Sequence, residues 1–180
     1  MAEQDLGQTM ALLARTPAVL DALLRGLPEG WTCHNEGADT WSAYAVLGHL
    51  IHGESTDWMP RVRMILAHGA TQTFEPFDRR GFAREGPGKT MEQMLEQFAE
   101  RRARNLQELR ELKLTAADME RRGRHPALGE VTLGQLLGTW AAHDLTHLHQ
   151  ISRVMAHQYR DAVGPWSRFM GVLNCNGHSE

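Results

Sequence analysis

The chain has 180 residues, 42% hydrophobic and 23% charged, with a formal net charge of −3. That length suits one domain, residues 1–180, with a full hydrophobic core, and the composition is that of a soluble globular protein. A negative balance with only two lysines, Lys89 and Lys113, argues against a nucleic-acid-binding surface, and no apolar run approaches the about 18 residues of a membrane span.

The first predicted helix runs from about Gln4 to Leu27, where Leu6, Met10, Leu13, Pro17, Leu20 and Leu24 recur at three- and four-residue steps. Pro17 removes a backbone donor and should bend or split it, and Pro28 and Gly30 end it. A polar loop follows, and Thr40 or Ser42 can cap a second helix from Trp41 to about His68. Val46, Leu47, Leu50, Ile51, Trp58, Val62, Ile65 and Leu66 are its apolar stripe, and Pro60 marks a kink. Residues 69–88 read as a long connection rich in glycine and proline, of a length that often covers a site.

Thr90 followed by Gln93 forms a capping-box pattern that opens a third helix to about Leu112, with Met91, Met94, Leu95, Phe98, Leu106 and Leu109 inward. Residues 113–130 read as another connection, with one helical turn near Ala116 to Glu120. Thr132 caps a fourth helix that runs to about Tyr159. The tail from Gly164 holds Pro165, Trp166, Phe169, Met170 and Leu173, which suggests that it packs on the body. No stretch shows the period-two alternation of a hairpin. The expected fold class is all-α: a four-helix bundle with long connections, the order of its helices left open. Two arginine clusters are read as solvated, Arg101, Arg102 and Arg104 on a helix face and Arg121, Arg122 and Arg124 in a loop. Cys33 and Cys175 form no disulfide framework, and Met1 to Leu6 carries Glu3 and Asp5 instead of a basic leader. A reduced compartment, the cytoplasm, is the expected location.

Ten histidines are many for this length, and they cluster. His143 and His147 stand four apart, so both imidazoles share one helix face about a turn apart, a bidentate grip for a divalent transition metal. Leu136, Trp140 and Ile151 lie near that stripe, so the pair should face the interior. A third donor must come from another helix. His49 fits, His52 three residues on remains an alternative, and Glu54 and Asp57 are possible carboxylate donors. An isolated pair at this spacing is often only structural, and His34, His68, His125 and His178 fall in loops or ends where solvation is the simplest reading.

Two segments resemble the DinB/YfiT-like metalloenzyme family. Trp41-Ser-Ala-Tyr-Ala-Val-Leu-Gly-His49-Leu is similar to its W-[ST]-x-x-x-[VL]-[VL]-x-H-[LV] signature. His143-Asp-Leu-Thr-His147-Leu-His-Gln-Ile151 is similar to its H-x-x-x-H-x-x-Q-[IL]. The resemblance implies a left-handed four-helix bundle with crossing connections and a metal site of His49, His143 and His147 holding zinc or nickel. It also implies a homodimer and a small-molecule substrate, in some relatives a low-molecular-weight thiol.

Three neutral imidazoles leave the ion's charge intact, which would acidify a bound water or thiol. The leading expectation is a metal-dependent thiol S-transferase, with a metal-dependent hydrolase or a non-catalytic, stress-associated metal-binding module as alternatives. No general acid or base is assigned: Asp144 points about 100° away from His143 around the helix, and Glu54 has similar standing. Trp41 and Trp140 read as core anchors and Cys33 as inert. Arg79, Arg80 and Arg84 in the long connection could bind carboxylates of a thiol cofactor, though a solvated loop is the simpler reading.

Overall fold

A computed structural model describes residues 5–85 and 88–175. The helix start at Gln4, the acidic leader at Glu3, Gly86 and Pro87 of the long connection, and His178 lie outside the described residues. The helices are α1 (Leu6–Leu13), α2 (Thr16–Leu24), α3 (Glu29–Thr32), α4 (Ala43–Thr56), α5 (Trp58–His68), α6 (Met91–Glu111), α7 (Ala116–Met119), α8 (Leu133–His157) and α9 (Gly171–Asn174). Strands β1 (Arg122–His125) and β2 (Gly129–Thr132) stand between α7 and α8. Four rods form the bundle: α1–α2, α4–α5, α6 and α8. Contacts of α4 with both α6 and α8, of α1 with α8 and of α2 with α6 place α4–α5 between α6 and α8, diagonal to the first rod. Among the described residues no helix is long and apolar enough to cross a membrane.

The breaks follow from the prolines. Pro17 sits in the first turn of α2, where a missing N–H costs nothing, and the chain parts at Ala14 and Arg15. The carbonyl of Leu13, which would have accepted from position 17, instead accepts from Arg102 Nη1 at 2.8 Å. Likewise Pro60 lies in the first turn of α5, and the second rod breaks at Asp57 (φ −113°, ψ −65°), three residues before the proline. Ser42 caps α4 through Ala45 N (3.2 Å), and Thr90–Gln93 and Thr132–Gln135 form complete capping boxes on α6 and α8.

Two apolar clusters fill the bundle. One gathers Leu20, Leu24, Val46, Leu50, Phe98 and Ile151; the other gathers Leu13, Trp58, Ile65, Leu106, Leu137 and Trp140. Along every rod the residues between the two clusters include a buried polar one: Thr16, Glu54, Arg102 with Asn105, and Asp144. The core is thus divided by a hydrogen-bonded polar layer.

Three sequence expectations change here. Residues 122–132 form a hairpin, with Arg122 opposite Thr132 and His125 opposite Gly129. Its one buried position is a glycine, Gly123, whose added Cβ would come within 2.6 Å of Ile65 and Phe74. No apolar alternation announces such a strand, because close approach and not a side chain seats it. Arg102 is not solvated but 1% exposed. The C-terminal tail packs only in part: Val172 and Leu173 are half-buried, whereas Trp166 and Phe169 are 68% and 64% exposed.

Candidate metal centre

His49 on α4 and His143 and His147 on α8 converge on one point. His143 Nε2 lies 3.1 Å from His49 Nε2 and 3.0 Å from His147 Nε2, and the three potential ligand atoms all fall within 4.8 Å of one another. Neighbouring nitrogens around a tetrahedral ion with ordinary zinc–imidazole bonds stand about 3.3 Å apart. His147 Nδ1 donates to Gln150 Oε1 at 2.7 Å, so its Nε2 presents a lone pair to the shared point. A single proton on His143 could bridge one of the two close contacts but not both. A cation would satisfy all three lone pairs, and the donor set fits one.

The surroundings hold the rings neutral. Burial, then the neighbouring His147, pushes the His49 pKa from 6.5 down to about 3, while a backbone group of Arg79 acts the other way. Burial, then His147 and His49, takes His143 down to about 2. His147 is also lowered, chiefly by burial, with Gln150 and Asp144 opposing. Neutral imidazole is the form that binds metal. Trp41 packs on His49 (centroids 4.9 Å) and stacks over His147 (6.4 Å, 15°), so it is a wall of the site as well as a core anchor. Trp58 packs against His143 at 5.1 Å.

The rings open onto a cavity of about 450 Å³. One wall is Trp41, Trp58 and Leu136; the other comes from the 72–80 connection, with Phe74, Phe77 and Arg79, and from the hairpin, with His125. Phe77 sits edge-on to His49 at 5.3 Å. A long connection therefore does cover the site. His52 takes no part in the cluster: it is buried, its Nδ1 faces Glu85 Oε1 at 3.5 Å, and its ring lies against Gly81. The open choice between His49 and His52 as the third convergent ring is resolved for His49. His125, expected in solvent, is half-buried and lines the cavity, its Nδ1 accepting from the backbone N–H groups of Ala127 (3.1 Å) and Leu128 (3.2 Å).

A DinB superfamily model matches residues 12–151, a span that contains all three histidines. This chain belongs to the DinB superfamily. Among solved structures it is similar to YfiT from Bacillus subtilis, described as a probable metal-dependent hydrolase with an unusual four-helix bundle topology. That match has a TM-score of 0.71 at 21% identity and covers 95% of this chain and 92% of that one. It establishes the shared four-helix-bundle fold. No curated protein matches the chain.

In this DinB bundle two buried carboxylates of the histidine helices, Glu54 on α4 and Asp144 on α8, are already engaged. Arg102 donates through Nε (3.1 Å) and Nη2 (2.8 Å) to Glu54 Oε1, and through Nη1 (2.5 Å) and Nη2 (2.9 Å) to the two oxygens of Asp144. Asn105 Nδ2 (2.9 Å) and Trp140 Nε1 (3.1 Å) also donate to Glu54, and Thr16 Oγ1 to Asp144 (2.5 Å). Neither Glu54 nor Asp144 is a donor to the histidine cluster. Asp57 lines the cavity, paired with Arg61 at 2.8 Å. Sequence reasoning missed Arg102, and gave Gln150, though part of the family signature, no role. For Gln150 the signal was available: it lies three residues past His147, within reach on a helix. Cys33 is exposed and does not line the cavity. Of the three arginines in the connection only Arg79 lines it; Arg84 pairs with Asp78 at 2.7 Å.

Proposed function

We propose that this chain is a metal-dependent enzyme in which His49, His143 and His147 hold one divalent transition-metal ion, zinc or nickel, and that it transfers a small thiol to an electrophilic substrate. A divalent ion held by three neutral imidazoles supplies Lewis acidity that ionises a thiol or a water. The rest is the work of the chain. Gln150 fixes the tautomer of His147, Trp41 and Trp58 hold the rings and keep water from their flanks, and the cavity walls offer an apolar seat beside them.

The observation that favours a thiol over water is the state of the acids. Glu54 and Asp144 are locked on Arg102, and Asp57 is paired with Arg61. Neither Glu54 nor Asp144 is left free to pass protons to a leaving group, as general acid catalysis of ester or amide hydrolysis would use; Asp57, whose carboxyl pKa burial raises, is among the described residues the one acid that faces the cavity. Transfer of a sulfur nucleophile needs the thiol ionised and little further proton traffic. Hydrolysis is the second reading, supported by the placement of Asp57 in the cavity wall and by the description of YfiT.

The test is direct. Protein loaded with zinc or nickel is given a panel of small thiols and an activated aryl chloride, and free thiol is followed. Metal-dependent thiol consumption that disappears in His143→Ala is expected. No consumption across the panel by fully loaded protein, with ester cleavage in the absence of thiol, would replace this reading by the hydrolase.

A further inference from the structure

The cavity beside the three histidines carries an unbalanced charge. Among the described residues one acid lines it, Asp57, and that acid is paired with Arg61, which also donates to the Glu75 carbonyl at 3.3 Å and lies over Phe74. Arg79 is different. It lines the same cavity, and among the described residues it has neither a carboxylate nor a hydrogen-bonded carbonyl as partner. What sets it apart from the other arginines of the connection is its place: Arg84 pairs with Asp78, and neither Arg84 nor Arg80 lines the cavity. The connection holds Arg79 close to the rings: Phe77, two residues before, packs on His49. The remaining lining is largely apolar, with Trp58, Phe77 and Leu136 facing the space, and its volume of about 450 Å³ is that of a small-molecule site.

We infer that this cavity recognises an organic acid, with an apolar body seated on Trp58, Phe77 and Leu136 and a carboxylate bound by Arg79. The guanidinium fork matches a carboxylate in shape, and Arg79, an exposed residue of the lining, is open to an incoming acid. The proposal rests on the proposed function only for the location of the site, and it makes the electrophile, not the thiol, the bearer of the acid. Apolar walls on this scale fit a body larger than a small thiol carries.

The probe is 4-phenylbutyrate, compared with its uncharged amide, titrated calorimetrically into zinc-loaded protein. The acid is expected to bind at least about tenfold tighter than the amide, the ratio a charge-assisted hydrogen bond supplies. Arg79→Gln should reduce that ratio to below about threefold while leaving the amide affinity unchanged, and Arg80→Gln, outside the cavity, should leave both affinities alone. Equal binding of acid and amide, or no binding of either, overturns the inference. A preference that survives Arg79→Gln also overturns it and assigns the carboxylate to the metal position. A preference shown only by 3-mercaptopropionate over its amide would move the acid to the thiol and overturn the assignment made here. Because binding is read without turnover, loss of thiol transfer with the Arg79-dependent preference intact would count against the proposed function alone.

Discussion

Replacing Arg102 by methionine removes the one cation of the polar layer while nearly conserving the volume of its stem. The change deletes two bonds to Glu54, two to Asp144 and the one to the stranded Leu13 carbonyl. Glu54 keeps Asn105 and Trp140, and Asp144 keeps Thr16, so neither acid loses every donor. Breaking a buried ion pair from one side costs about 3–5 kcal/mol, and an orphaned buried carbonyl about 1–3 kcal/mol more. The acids can limit the loss by taking up protons, as burial already favours for Glu54, at about 1.36 kcal/mol per pH unit each. We expect a loss of about 4–8 kcal/mol at pH 7, a large share of the roughly 5–15 kcal/mol available to a domain. The sign of the pH dependence is opposite to that of a salt-bridged acid. In the variant the folded-state carboxyl pKa values stand above their unfolded values, so its deficit against the parent shrinks as pH falls from 7 to 5, by up to about 2.7 kcal/mol per carboxyl. Urea unfolding followed by circular dichroism at both pH values measures this, and adding Glu54→Gln and Asp144→Asn should recover much of the stability. A loss below about 1 kcal/mol at pH 7, or a deficit that does not change with pH, would refute the reasoning.

Other expectations follow from the same geometry. The metal-free protein should lose stability as pH falls below 6.5, because the unfolded chain takes up protons that the buried His49 and His143, at about 3 and about 2, refuse. At pH 5 this amounts to about 2 kcal/mol per ring, fading to nothing by about pH 7.5, and His49→Asn should lessen the fall by about that much in paired urea titrations. Gln150→Leu frees the His147 tautomer and should weaken metal binding about 10- to 100-fold in a competition titration with a chromogenic chelator; unchanged affinity would count against its orienting role. An alanine at Gly81 would put its Cβ 2.1 Å from His52 Nε2, so Gly81→Ala should push the covering segment off α4 and cost about 1–3 kcal/mol, visible as a lower Tm; an unaltered Tm would show that the close approach is dispensable.

The helices were legible because their signals are local. Ser42, Thr90 and Thr132 announce their caps, and the stripes of α4, α6 and α8 face the core as their spacing requires. The convergence of His143 and His147 follows from a four-residue step; that of His49 needed the apolar residues around it and the family signature. What stayed hidden is what depends on tertiary partners. Arg102 stands in a run of exposed-looking charges, and only the facing Glu54, Asp144 and the proline-stranded Leu13 carbonyl make it a core residue. The hairpin is seated by an absence of side chain at Gly123. His125 looked like a loop residue because nothing local shows that the hairpin lies over the cavity.

The central claim is that three imidazoles from two rods bind one ion. Elemental analysis of protein incubated with zinc or nickel and freed of excess metal, beside His49→Ala and His147→Ala made in parallel and shown to fold by circular dichroism, measures it directly. The account predicts one equivalent of metal per chain in the parent and a near-complete loss in both variants. Parent protein that retains no metal, or a His49→Ala variant that retains its full equivalent, would contradict it.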